Sequence, residues 1–317
     1  MMRIRRIITC ALVMTVMFIC NAAMYSVNAT SDSKDSYRAI AAMPIQIGAY
    51  YYKLSDNRVM RSTKEESGYR RINSKYTSSA FTNGKTVYAV ECKIGMSVSS
   101  IKKCTLVKYS VSGKGHRTIK SLPKKKDNEK IYWYIGCISG NNIILGGIKT
   151  NSFSLLSYKY NIKSDKLKIA SNRYAPIESI SGDMNYCGKY FLTEKQVNTD
   201  GRTPGRIYLS KITSSGKLTK IKGLGYTDAA FVDKKLYYVR VDISYESYED
   251  LIITVGIYKS NYDGNQEAML GTKQVRFSNY GGTVRVRASE FNTDYCSISI
   301  GDDLYHFFYD TGSFEMK

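Results

Sequence analysis

Along the chain, apolar and polar residues alternate over short runs, and almost no segment repeats at helical spacing. TVYAVEC (86–92), IYWYIG (131–136), NIILGGIK (142–149), KYFLTEK (189–195), KLYYVRV (235–241), YCSISIG (295–301) and LYHFFYD (304–310) are rich in β-branched and aromatic residues. Each reads as a strand of 5–8 residues. Asn83-Gly84, Gly140-Asn141, Asp263-Gly264 and Thr311-Gly312 punctuate them as turns. The pattern predicts an all-β protein.

The strands recur in a fixed phrase: strand, polar turn, strand. It begins at Val59, Leu106, Leu155, Ile207, Ile257 and Leu304, at intervals of 47, 49, 52, 50 and 47 residues. A period of that length points to a propeller or a similar array. The clearest unit runs from Thr227 to Leu270. It reads as an inner strand (227–232), a turn at Asp233-Lys234-Lys235, a second strand (236–241), an insertion, a third strand (251–260) and a short outer strand (268–270). Four antiparallel strands in such a span make one propeller blade. The same order can be traced through 76–119, 131–169 and 181–221. The expected fold is a β-propeller of six blades, with five and seven left open. The first and last units are less regular, which suggests a blade shared by the two termini.

IYKSNYDGNQEAML (257–270), preceded by KLYYVRVD (235–242), resembles the strand-turn-strand signature of YWTD-type propellers of the low-density-lipoprotein-receptor class. Within that class the chain is most similar to secreted propellers of Gram-positive bacteria. The match is good over 227–270, weaker over 81–222 and poor at both ends. The full Tyr-Trp-Thr-Asp sequence is absent. The resemblance implies a six-bladed interaction scaffold and no particular catalytic residue.

Residues 1–29 carry Arg3, Arg5 and Arg6, then an apolar run from Ile7 to Cys20, then Val27-Asn28-Ala29. That is the pattern of a signal peptide cleaved before Thr30. The run of 14 residues is short for a membrane span, which needs roughly 20. A membrane connection is expected only if the segment stays uncleaved as an anchor. Residues 30–43 are polar and read as a flexible lead-in. Residues 44–317 are expected to form the propeller.

The formal charge of +20 falls to +17 once the three signal arginines are removed. Such a field attracts polyanions, and for an exported protein these are chiefly wall polymers and acidic polysaccharides. Export argues against an intracellular nucleic-acid partner. Five cysteines remain after processing, an odd number that excludes a complete disulfide framework. Cys92 and Cys104 flank one loop and could pair, a question that the sequence leaves open.

Chemistry-bearing motifs are scarce. The two histidines, His116 in a turn and His306 on a strand, show no partner in sequence. No zinc motif, phosphate loop or nucleophile elbow is present, so no cofactor, metal or catalytic residue is expected. The oxygen-rich turns Asn198–Gly201 and Tyr262–Asn265 lack the late glutamate of a calcium loop and read as ordinary turns. Three loops between second and third strands look long: 93–103, 194–206 and 242–250. Long loops on a rigid scaffold are where binding residues tend to sit. The candidate binding residues are therefore Lys102, Lys103, Arg202 and Arg206, with Tyr245 and Tyr248 on the third, acidic loop. The function expected is an exported, non-catalytic binding scaffold for a protein or an anionic cell-surface polysaccharide. The alternative is a glycan-processing hydrolase or lyase using acids and tyrosines at the propeller funnel.

Overall fold

A computed structural model describes residues 37–93, 103–123, 130–149, 154–171, 174–177, 185–187, 189–195, 206–213, 218–225, 228–246, 250–278 and 284–317. The described residues contain no α-helix, and their strands form six antiparallel sheets of four or five strands. The chain is a six-bladed β-propeller. No helix among the described residues is long and apolar enough to cross a membrane.

The first blade comprises Ile45–Ile47, Tyr50–Ser55, Arg58–Ser62 and Arg70–Arg71. The second comprises Tyr76–Thr82, Thr86–Lys93, Lys103–Ser110 and Arg117–Ser121; the third, Ile131–Ser139, Asn142–Lys149, Leu155–Asn161 and Lys166–Ser171. In the fourth, Ala175–Pro176 and Tyr186–Cys187 both pair with Tyr190–Lys195, followed by Arg206–Ile212 and Leu218–Gly225. The fifth holds Ala229–Val232, Lys235–Tyr245, Leu251–Asn261 and Ala268–Phe277. The sixth is built from Val286–Ser289, Tyr295–Ile300, Asp303–Phe308 and Ser313–Met316, so it is complete without an N-terminal strand. The termini do not share a blade.

The N-terminal strand Arg38–Ile40 pairs instead with the innermost strand of the second blade, Arg38 opposite Thr82 and Ile40 opposite Ala80. Ala39, Ile40 and Ala41 are buried there. Part of the segment that reads as a polar lead-in is therefore structured, because Ala-Ile-Ala supplies apolar surface for a ladder that already exists.

Burial between blades accounts for the alternation in the sequence. Val87, Ala89 and Val107 face Tyr52 and Val59 of the first blade, whereas Tyr88, Val90 and Leu106 face Trp133, Ile135 and Leu145 of the third. Smaller clusters join the third blade to the fourth and the fourth to the fifth, and a large one joins the fifth to the sixth. Among the described residues, no apolar cluster joins the sixth blade to the first. The inner strands of the third and fourth blades approach so closely that a Cβ on Gly136 would lie 2.2 Å from the Pro176 ring. Pro176 tolerates that inner position because an edge strand does not need its amide there.

The hairpin turn of the fifth blade is Asp233-Lys234, both at positive φ (45° and 60°). This is the mirror-image turn that matches strand twist. From it the fifth blade extends unusually far: its last three strands run 11, 11 and 10 residues.

Candidate functional site

In a blade of four antiparallel strands, the hairpins between second and third strands leave from one end of the disc, as do the connections from blade to blade. At that end Lys93 stands directly opposite Lys103, and Lys195 directly opposite Arg206. Lys93, Lys103 and Arg206 are exposed. Lys102, Arg202 and Tyr248 lie outside the described residues, as does the Lys124–Lys126 run. The connection holding that run begins at Leu122, whose amide donates to the Cys104 carbonyl at 3.0 Å. It therefore leaves from the same end as the Lys93–Lys103 hairpin.

Cys92 and Cys104 form a disulfide one position inward of the lysine pair, with Cα atoms 4.2 Å apart in direct register. Both cysteines are buried, and the bridge fixes the two strands that carry Lys93 and Lys103. Cys137, Cys187 and Cys296 are free. Burial pushes the Cys296 thiol up to about 12, so it stays protonated at neutral pH.

The third of the loops expected to be long is mostly strand. Asp242–Tyr245 continue the second strand of the fifth blade, with Ile243 opposite Ile253 and Tyr245 opposite Leu251. The segment is acidic in composition, but Ile243 and Tyr245 keep the strand alternation going against a buried third strand. Tyr245 is 74% exposed. Beyond it, Arg276 on the outer strand reaches Glu246 at 2.8 Å and Asp250 at 3.3 Å. This tip is acidic, in contrast to those of the second and fourth blades.

The inner strands hold mainly structural polar contacts. Ser78 Oγ donates to the Trp133 carbonyl at 2.6 Å, and the Ile135 amide donates to Ser79 Oγ at 2.6 Å. Trp133 itself is buried, its Nε1 donating to the Pro123 carbonyl. Asp228 precedes the first strand of the fifth blade and accepts from the Ala288 amide of the sixth at 2.8 Å. Desolvation raises its carboxyl above the ordinary aspartate range, against the opposing pull of that amide and of Arg287.

Both histidines have partners that sequence did not reveal. His116 Nε2 lies 2.9 and 3.0 Å from the two oxygens of Glu91. Glu91 is buried and also accepts from Asn73 Nδ2 at 3.3 Å. Asn73 in turn donates to Thr77 Oγ1 at 2.6 Å, and Lys75 approaches Glu91 at 3.7 Å. This network lies in the seam between the first two blades. The only sequence signal for it was a carboxylate at an inward-facing strand position. His306 stacks on Tyr295 with ring centroids 4.4 Å apart, and burial together with Lys317 lowers its pKa. Among the described residues, no group of three His, Cys, Asp or Glu side chains is placed to hold a metal. The Tyr262–Asn265 segment is an ordinary turn, with Asp263 Oδ1 accepting from the Asn265 amide at 3.0 Å.

No family model and no curated protein matches the sequence. Among solved structures, the chain is similar to a putative TolB from Agrobacterium tumefaciens, at 13% identity and TM-score 0.39, over 77% of this chain and 90% of that one. It is similar to an oligogalacturonate lyase in complex with manganese, at 11% identity and TM-score 0.48, over 92% and 82%. A third is the β-propeller domain of the Trilobed protease from Pyrococcus furiosus, at 7% identity and TM-score 0.37, over 88% and 97%. At such identities and scores, nothing about activity is carried across.

Proposed function

We propose that the chain is an exported, non-catalytic scaffold that binds an anionic cell-surface polysaccharide through the end of the disc bearing the lysine and arginine hairpins. The observation that carries this reading is the pair of cationic couples, Lys93 with Lys103 and Lys195 with Arg206, set in direct cross-strand register. Like charges directly opposite one another, as at Lys93 and Lys103, are destabilising in a sheet, and a bound anion offsets that cost. Lys102 and Arg202 add to the same charge in this reading, and Tyr245 and Tyr248 supply stacking surface. The charge of +17 after processing favours polyanion capture, and the N-terminal Arg-rich and apolar segment supports export. The resemblance of residues 227–270 to YWTD-type propellers supports a scaffold as well.

The test is binding of the processed chain to a uronic-acid polymer at low and high salt. Replacing Lys93, Lys103, Lys195 and Arg206 with Gln is expected to weaken binding about tenfold or more, with a melting temperature no lower than that of the wild type, since opposed like charges are removed. Replacing Lys85 and Lys163, exposed on turns at the opposite end, should change little. Equal losses from both sets would mean diffuse attraction without a dedicated site.

A glycan-processing activity has one observation of its own, the desolvated carboxyl of Asp228 between two inner strands. Perturbed carboxyls of this kind cluster at catalytic sites. In this second reading wild-type protein cleaves an acidic polysaccharide and Asp228→Asn does not. Absence of product from the wild type would dispose of it.

A further inference from the structure

The second strand of the fifth blade, Lys235–Tyr245, is longer than the strand that covers its inner side. Ala229–Val232 pairs only with Lys235–Tyr238, and the next contact on that side is the Val239 amide donating to the Asp228 carbonyl at 3.2 Å. Peptide groups alternate sides along a strand, so the N–H and C=O of Val241, Ile243 and Tyr245 turn to the same inner side as those of Val239. Among the described residues, no strand pairs with that side from Val241 to Tyr245. The outer side is fully laddered to Leu251–Val255.

The side chains along this edge are sorted by face. Ile243 and Tyr245 are 54% and 74% exposed, on the face whose earlier residue, Val241, packs into the core between the fifth and sixth blades. Their cross-strand partners Ile253 and Leu251 are buried, so the apolar surface stops at the edge rather than at the hairpin. Asp242 and Ser244 point to the other face and are exposed, with Glu246 just beyond. Edges of this kind are normally blunted with lysine, proline or a cover, because their unpaired groups template another strand. Asp242 is the only charge from Val241 to Tyr245.

We infer that Val241–Tyr245 is a strand-acceptor edge for an extended peptide segment of a partner protein, apolar at alternate residues and basic at those between. The segment runs antiparallel to the acceptor along the line of Ala229–Val232 and ends short of Gly225, where a Cβ would lie 3.5 Å from the Val239 carbonyl oxygen. Main-chain hydrogen bonds to Val241, Ile243 and Tyr245 supply affinity, and the alternating side chains supply selectivity. The apolar residues cover Ile243 and Tyr245, and a basic one meets the exposed Asp242, Glu246 being held by Arg276. This edge uses none of the four cations of the polyanion reading and shares only Tyr245 with it, so loss of peptide binding and loss of polyanion binding are separately readable.

The test uses the processed chain and a fluorescent peptide of alternating lysine and valine, read by anisotropy. Ile243→Pro removes one inward N–H and leaves the ladder to Ile253 intact, since that ladder is made by the neighbouring peptide groups. It is expected to weaken binding about tenfold with the melting curve retained. Asp242→Lys, which alters no backbone group, should also weaken it, and N-methylation of the peptide at alternate residues should abolish it. Amide exchange at Val241, Ile243 and Tyr245 should be fast in the free protein and slow in the complex. No binding by the wild type, or equal binding by Ile243→Pro and wild type, overturns the inference. So does a wild-type dimer that Ile243→Pro converts to monomer, since a second copy would then be the occupant.

Discussion

Glu91 shows how one buried side chain can link two blades. Its carboxylate is shared by His116, Asn73 and Lys75, and these partners differ greatly in exposure: the Lys75 side chain is 60% exposed and that of His116 33%. His116→Ala would leave a buried carboxylate short of its best donor, and is expected to cost about 3 kcal/mol in urea denaturation. Lys75→Ala should cost less than about 1 kcal/mol, because an exposed partner is largely screened. Asp228 makes the opposite case. Its carboxyl is raised by burial, so the folded state holds the proton more tightly than the unfolded chain does. The stability this contributes is present below the ordinary aspartate value of about 3.9 and is lost as pH rises through the folded value. Asp228→Asn should therefore stabilise the fold at neutral pH relative to wild type, with the gain shrinking towards pH 4. Thermal melts across that range would show whether the two curves converge on acidification. Neither residue was legible as special in the sequence, where each is one acid among 27.

At the scale of the element, the four-strand plan was readable wherever alternation and turn residues agree, as from Ala229 to Ala268. It failed where they conflict. Asp-Ile-Ser-Tyr-Glu at 242–246 has the composition of a loop, yet its backbone follows the ladder set by Leu251–Val255. Pairing with a buried neighbour outweighs local propensity there. The fourth blade failed in the other direction, since its inner position is taken by Ala175–Pro176 and not only by the segment around Tyr186. Of the candidate residues, Lys103, Arg206 and Tyr245 fall at hairpin ends, but their partners Lys93 and Lys195 were not picked out. Register decides which cations face each other, and composition carries no register. The Cys92–Cys104 bridge belongs to the same hairpin. Replacing both cysteines with Ala should cost about 2–3 kcal/mol, the value for a closed loop of this size. Comparing chemical denaturation with and without reductant would check this, and reductant should have no effect on the double variant.

For the whole molecule, the seams between blades are unequal. The cluster joining the fifth and sixth blades includes Phe307, Tyr305, Ile298 and Cys296, all buried. Deleting Leu304–Lys317 would uncover it and leave Tyr295–Ile300 unpaired on one side, so the truncate is expected to aggregate or lose its cooperative melt. A soluble truncate with an unchanged melting curve would show that the sixth blade contributes nothing to the rest. The N-terminal strand has a consequence of a different kind. Because Arg38 lies opposite Thr82, the chain enters the funnel from the end where the Asn83–Lys85 turn sits and travels towards the end carrying Lys93 and Lys103. Arg38, and with it the point where the upstream stretch joins the fold, thus lies at the back of the disc. If that upstream stretch were fixed to a surface, the cationic hairpins would point away from the attachment, outward into the medium, and a tether would orient the protein as well as hold it.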